Sequence, residues 1–226
     1  MVKANNFHHL AISTADTKKQ LEFFSDVVGL ELIALFPMHN VKGAIHCFLK
    51  LNDKACLSFV QLSQNANIEP VAGVTYAGNA GEGAPGSIQH LALNVDSEQE
   101  LLNMRDRIRS KGIHVFGPLD HGIMRSIYFS GPDNLSLEVS TWMREVIPDA
   151  WIDPEMVKAL NISDEELAHL RNPALYKGEG GKVTQPPVDP MKHHALFENE
   201  TLKAVIEMSD EEVFKNLSTP NDPVSI

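Results

Sequence analysis

Apolar and polar positions alternate over HHLAIST (8–14), which predicts a strand. Beyond Asp16 the period lengthens. In TKKQLEFFSDVVGL, Leu21, Phe24, Val27 and Val28 share one face of a helix that Gly29 is placed to close. Three further strand patterns follow, LELIALFPM (30–38), GAIHCFLKL (43–51) and ACLSFVQL (55–62), and Asn52-Asp53-Lys54 marks a tight turn between the last two. The order is β-α-β-β-β.

From Ser63 to Gly86 the pattern dissolves into a glycine-rich stretch longer than an ordinary connection, which reads as a linker or a functional lid. The earlier order then returns. SIQHLALNV (87–95) is a predicted strand, Ser97 with Glu100 forms a capping-box pattern, and EQELLNMRDRIRSKG (98–112) is an amphipathic helix. IHVFGPLD (113–120), IMRSIYFS (123–130) and LSLEVSTW (135–142) supply three more strands, with the turn GPDN (131–134) joining the last two. HLAIS (9–13) aligns with HLALN (90–94), so the chain carries an internal repeat.

The expected fold is α+β: two βαβββ modules in a pseudo-two-fold repeat forming a cupped mixed sheet, followed by a mostly helical or irregular tail. The expected segments are a first module (1–62), a connecting loop (63–86), a second module (87–147) and a C-terminal extension (148–226). Capping-box pairs Ser163/Glu166 and Ser209/Glu212 predict short helices near 164–171 and 209–217, with another near 154–160, around the loop KGEGGKVTQPPVDP (177–190). The tail is too polar for an independent domain and is expected to pack over the modules or over a neighbouring subunit.

Composition narrows the function. With 226 residues, 43% of them apolar and 22% charged, the chain is globular. A net charge of −11 with scattered basic residues argues against a nucleic-acid partner and is compatible with a neutral or metal-bound substrate. No run approaches the roughly 20 apolar residues of a membrane span, and no leader segment is expected, so the reading is a cytoplasmic protein acting on a small molecule. Cys47 and Cys56 both fall in strand patterns and read as reduced thiols. Homo-oligomerisation is left open, because modules of this kind can pair within one chain or between chains.

The repeat places His9 and His90 at the same position of two first strands. In LSLEVS, Leu135, Leu137 and Val139 face one side and Ser136, Glu138 and Ser140 the other. An ionised carboxylate on such an inner face is costly unless paired or bound to a metal. His9, His90 and Glu138 together make a 2-His-1-carboxylate set, which suits Fe(II) and leaves open positions; Mn(II), Zn(II) and Ni(II) fit the same ligand types. The register selects His9 over its neighbour His8, and a one-residue slip would exchange them. His193 and His194 in DPMKHHALF read as a solvated pair.

With this repeat and ligand set, the chain resembles the vicinal oxygen chelate superfamily, which includes glyoxalase I, fosfomycin-resistance enzymes, methylmalonyl-CoA epimerase and type I extradiol dioxygenases. The likeness covers about residues 7–142 and is carried most specifically by GPLDHGIMRSIYFSGPDNLSLEVS (117–140), where Asn134 replaces the usual glycine, and by FFSDVVGLEL (23–32). The resemblance implies metal ligation by His9, His90 and Glu138. It also implies that a glyoxalase-like site would take a fourth ligand from the last strand of the first module, where this chain has Ser58. A three-ligand site points to the extradiol arrangement, in which Tyr128 resembles a tyrosine that contacts substrate oxygen. His121 suits an acid/base role near neutral pH, and His46 and Phe48 are candidate pocket residues.

The reading is therefore a metal-dependent enzyme of the extradiol dioxygenase type, acting on a vicinal diol or catechol-like molecule with Fe(II). A glyoxalase-like isomerase, lyase or hydrolase is the first alternative, and a small-molecule binding or resistance protein the second.

Overall fold

The structure is a computed structural model that describes residues 2–78, 80–189, 191 and 205–225. The first unit runs β1 (His9–Thr14), α1 (Thr17–Phe23), β2 (Glu31–Pro37), β3 (Ile45–Asn52) and β4 (Ala55–Gln61), and its sheet has the order β1-β4-β3-β2. Asp16 starts the helix by accepting the Lys19 N–H at 3.0 Å. The helical periodicity of the sequence does not continue as α-helix to Gly29. Residues Phe24–Val28 instead form a π-helical turn that buries Phe24, Val27 and Val28, and Gly29 closes it at φ 92°.

The second unit repeats the plan with β5 (Leu91–Asn94), α2 (Glu98–Ser110), β6 (Phe116–Asp120), β7 (Met124–Ser130) and β8 (Ser136–Trp142), in the order β5-β8-β7-β6. Strand β5 is shorter than the apolar pattern suggests. Ser87 folds back on Ala84 through its N–H and hydroxyl, the ladder to β8 starts at Leu91, and His90 stands just before it. The β7–β8 turn is a 3-10 segment in which Asp133 and Asn134 adopt φ 55° and 60°. Asparagine tolerates this left-handed backbone, so it can stand where a glycine is usual.

The registers of the two sheets correspond. Ala11 pairs with Ser58 as Ala92 pairs with Glu138, and Phe48 faces Ser58 as Tyr128 faces Glu138. On each sheet the alternate residues face the helices: Cys47, Leu49, Leu57 and Phe59 in one, Ile127, Phe129, Leu137 and Val139 in the other, all in one contiguous core with Phe24, Leu101 and Ile108. The modules meet through that core. Arg107 of α2 donates to the carbonyls of Val27 (2.9 Å) and Asp26 (3.0 Å) at the end of the π turn, and Thr14 and Gln20 both donate to Asp133 (2.6 and 2.9 Å). The strands make two four-stranded mixed sheets, as the repeat predicts.

The extension holds α3 (Pro148–Trp151), α4 (Pro154–Ala159), α5 (Asp164–Arg171) and α6 (Asp210–Leu217). Ser163/Glu166 and Ser209/Glu212 form complete capping boxes. Ser97 accepts from the Glu100 N–H, but the Glu100 carboxylate takes the Asp96 N–H instead, one residue upstream of the expected partner. The extension returns to the first module, with Val2 N–H donating to Tyr176 and Asn40 Nδ2 to the Leu217 carbonyl. No described helix is long and apolar enough to cross a membrane, and His193 and His194 lie outside the described residues.

Candidate metal and acid–base site

Glu138 is only 2% exposed, although it alternates with the core residues Leu137 and Val139 and so sits on the opposite face of the sheet. Neighbouring side chains enclose it. The Ser140 hydroxyl donates to Oε1 at 2.5 Å, Ser126 Oγ lies 2.9 Å from Ser140 Oγ, and His90 Nε2 lies 2.9 Å from Oε2. Burial pushes the carboxyl group up, but hydrogen bonds from Ser126, Ser140 and Tyr128 together with the His90 charge outweigh it and hold the pKa below the ordinary glutamate value. The carboxylate is therefore ionised at neutral pH. The Gln89 side-chain oxygen contacts His90 Nδ1 and can accept its proton, which directs Nε2 toward Glu138.

On the neighbouring strand Tyr128 stands opposite Glu138 in the β7–β8 register, and its hydroxyl is 2.9 Å from His121 Nε2. Burial raises the Tyr128 pKa, and the negative Glu138 raises it further, so the phenol keeps its proton as a donor. A line of polar groups thus runs from the buried Glu138 anion through the Tyr128 hydroxyl to the exposed His121 imidazole. A shallow cavity of about 230 Å³ opens on this face between His90, Glu138, Met124, Ser140 and Trp142.

The equivalent face of the first sheet has different chemistry. His9 lies edge-on to Phe48 at 5.4 Å, and His46 is 4.6 Å from the same ring. His46 Nε2 is 2.7 Å from the hydroxyl of Ser58, which is fully buried at the position equivalent to Glu138. Burial and then the charges of His9 and His39 lower the His46 pKa, so this imidazole is neutral. His8 precedes β1; its carbonyl accepts the Cys56 N–H, and its Nδ1 is 3.0 Å from His9 Nδ1.

The chain therefore brings His90, Glu138, Tyr128 and His121 together, and separately groups His9, His46 and Phe48. Among the described residues, no three His, Cys, Asp or Glu side chains converge into a metal-binding cluster. Sequence reasoning named Ser140 as an inward residue but missed Ser126, although alternation with Tyr128 marks both as inward. It also missed Phe36 and His39. Phe36 is stacked 6.1 Å from Phe48 and pairs with His46 across β2 and β3, while His39 lies 5.3 Å from Phe36.

Residues 6–139 match the family described as the Glyoxalase/Bleomycin resistance protein/Dioxygenase superfamily. Similar solved structures include a glyoxylase/bleomycin resistance protein/dioxygenase domain from Frankia sp. EAN1pec, at 11% identity and a TM-score of 0.48, covering 62% of this chain and 99% of that one. TnmS3, an antibiotic binding protein from Streptomyces sp. CB03234, is 20% identical with a TM-score of 0.44, over 63% of this chain and 99% of that one. A variant of the fosfomycin resistance protein FosX from Listeria monocytogenes, complexed with Mn(II) and 1S,2S-dihydroxypropylphosphonic acid, is 16% identical with a TM-score of 0.42, over 61% of this chain and 92% of that one. The family match begins before His9 and ends just after Glu138, so it takes in both repeated units, and the chain belongs to the glyoxalase/bleomycin resistance protein/dioxygenase superfamily.

Proposed function

We propose that the protein is a metal-dependent dioxygenase of the extradiol type, acting on a vicinal diol or catechol-like small molecule. Its metal would be held by His90 and Glu138 of one copy and His9 of a second. The observation that carries this reading is Glu138: a buried, ionised carboxylate with an imidazole nitrogen 2.9 Å away, on the sheet face opposite the core and beside a cavity of about 230 Å³. A divalent ion fits this donor set, because an ionised carboxylate and an adjacent imidazole nitrogen are both ligands for such ions. Fe(II) is the preferred ion for the open positions that three protein ligands leave, with Mn(II), Zn(II) and Ni(II) suited to the same donors.

Three protein ligands, rather than four, follow from Ser58. The residue equivalent to Glu138 in the first module is a serine engaged with His46, which offers no second carboxylate. His9 completes the set from a second copy, because within one chain it lies on the other sheet, beside Phe48. A bound ion of this kind supplies chelation of two substrate oxygens and, as iron, electron exchange with dioxygen. The chain's own part is proton handling. Tyr128, whose single hydroxyl proton is directed at Glu138 in this structure, would turn it toward a substrate oxygen, and His121 would accept the proton that a diol must lose.

Oxygen uptake and metal analysis test the reading together. Protein reconstituted with Fe(II) under argon should consume dioxygen with a catechol-type substrate, and His9→Ala, His90→Ala and Glu138→Ala should each lose metal and activity. Mixing unfolded His9→Ala and Glu138→Ala chains and refolding them should restore about a quarter of the wild-type metal, one intact site of two in the half of the dimers that are mixed. Turnover without dioxygen would replace the dioxygenase by an isomerase or lyase, and ligand binding with neither metal nor turnover would leave a binding protein. No restoration on mixing would place all ligands in one chain.

A further inference from the structure

The C-terminal extension follows the family match and passes beside the turn that carries His121. His121 N–H donates to the Met124 carbonyl at 2.9 Å, and Asp120 accepts the Gly122 N–H at 2.8 Å. The Ile123 carbonyl accepts the Met143 N–H at 2.8 Å, which fixes the turn to the end of β8. Gly122 has φ +84°, and a Cβ there would lie 3.0 Å from the indole of Trp151, the last residue of α3. Arg144 lies beside the same contact, with its guanidinium carbon 5.9 Å from the ring centroid and its Nη2 3.7 Å from where a Gly122 Cβ would stand.

We infer that Trp151 is a positioning residue for His121: the indole packs against Gly122, beside the Arg144 guanidinium, and keeps the imidazole aimed at the Tyr128 hydroxyl. The inference rests on the acid/base role given above to His121.

Physical considerations favour Trp151 over the other groups around the turn. Asp120 shapes the backbone from within and is itself held by Arg125, which also pairs with Glu98. None of these is among the groups nearest the outer side of Gly122, where the Trp151 indole and the Arg144 guanidinium lie against a glycine whose positive φ gives it wide conformational freedom. A rigid aromatic ring lying on that glycine removes the freedom at small entropic cost, since a tryptophan has only two side-chain torsions. A displacement of about 1 Å in the imidazole is enough to weaken a proton transfer strongly. The extension thereby contributes to the site without contributing a ligand.

The test uses the full-length, metal-loaded protein with Trp151→Ala and Trp151→Phe. Trp151→Ala should lower kcat about tenfold with KM nearly unchanged, and Trp151→Phe should recover most of the loss. The independent readout is the ring-nitrogen NMR spectrum of His121, assigned with His121→Gln. It should show one fixed tautomer in the wild type and averaging between two in Trp151→Ala. An unchanged His121 spectrum in Trp151→Ala overturns the inference whatever the activity does. A changed spectrum together with an active His121→Gln variant leaves the positioning intact and removes the acid/base role instead.

Discussion

Ser58 and Glu138 occupy equivalent positions of the two sheets, each opposite an alanine of the first strand, Ala11 and Ala92 respectively. One is a hydroxyl bonded to His46 and the other a carboxylate beside His90, so the repeat has kept the scaffold and divided the chemistry. Glu138→Gln keeps the size and removes the charge, and it should weaken metal binding at least about tenfold, as removal of a ligand or its close support does. Ser58→Ala should leave metal content unchanged. Metal analysis of both proteins after identical loading checks the contrast.

Acid should destabilise the metal-free protein through Glu138. Its folded pKa lies below the ordinary value of 4.5, so its contribution to stability is fully present above pH 4.5 and is lost as the pH falls through the folded value. Melting curves from about pH 5 to 3 should therefore fall less steeply for Glu138→Gln than for the wild type. Parallel curves would mean that other carboxylates govern acid unfolding.

Asp133 ties the first module to the hairpin of the second by accepting from both Thr14 and Gln20. Gln20 is fully buried, and its remaining oxygen has no partner. Asp133→Ala would leave the Thr14 hydroxyl without its acceptor, leave Gln20 Nε2 only its 3.4 Å bond to Thr14, and place alanine at φ 55°, and it should cost about 2–3 kcal/mol. Urea unfolding of the metal-free protein measures this directly.

The two thiols should differ in reactivity. Cys47 is fully buried in the core, and burial raises its pKa, whereas Cys56 is partly exposed at the start of β4. Iodoacetamide should label Cys56 in the native protein and Cys47 only on unfolding, with mass spectrometry of digests distinguishing them.

The repeat was legible because HLAIS and HLALN place equivalent side chains in equivalent ladders, and alternation alone assigned Glu138 to the inner face. The same local signal is silent on distance. Alternation says which way His9 and His90 face, but the relation between two sheets depends on the packing of α1 and its π turn against α2, which no short window contains. The π turn itself was hidden because Phe24, Val27 and Val28 suit an ordinary helix equally well. Trp151 was invisible for a related reason: its partner Gly122 is distant in sequence, and both residues look like loop components.

Arg107 gives the repeat a further meaning. Its guanidinium takes up carbonyls left open at the end of the π turn and lies 3.0 Å from where a Gly29 side chain would begin. The first module's helix is thus finished by a residue of the second. The halves share one plan, yet either half synthesised alone would lack the neighbour that completes it. Repetition describes the chain's plan, while the finished end of its first helix belongs to both halves at once.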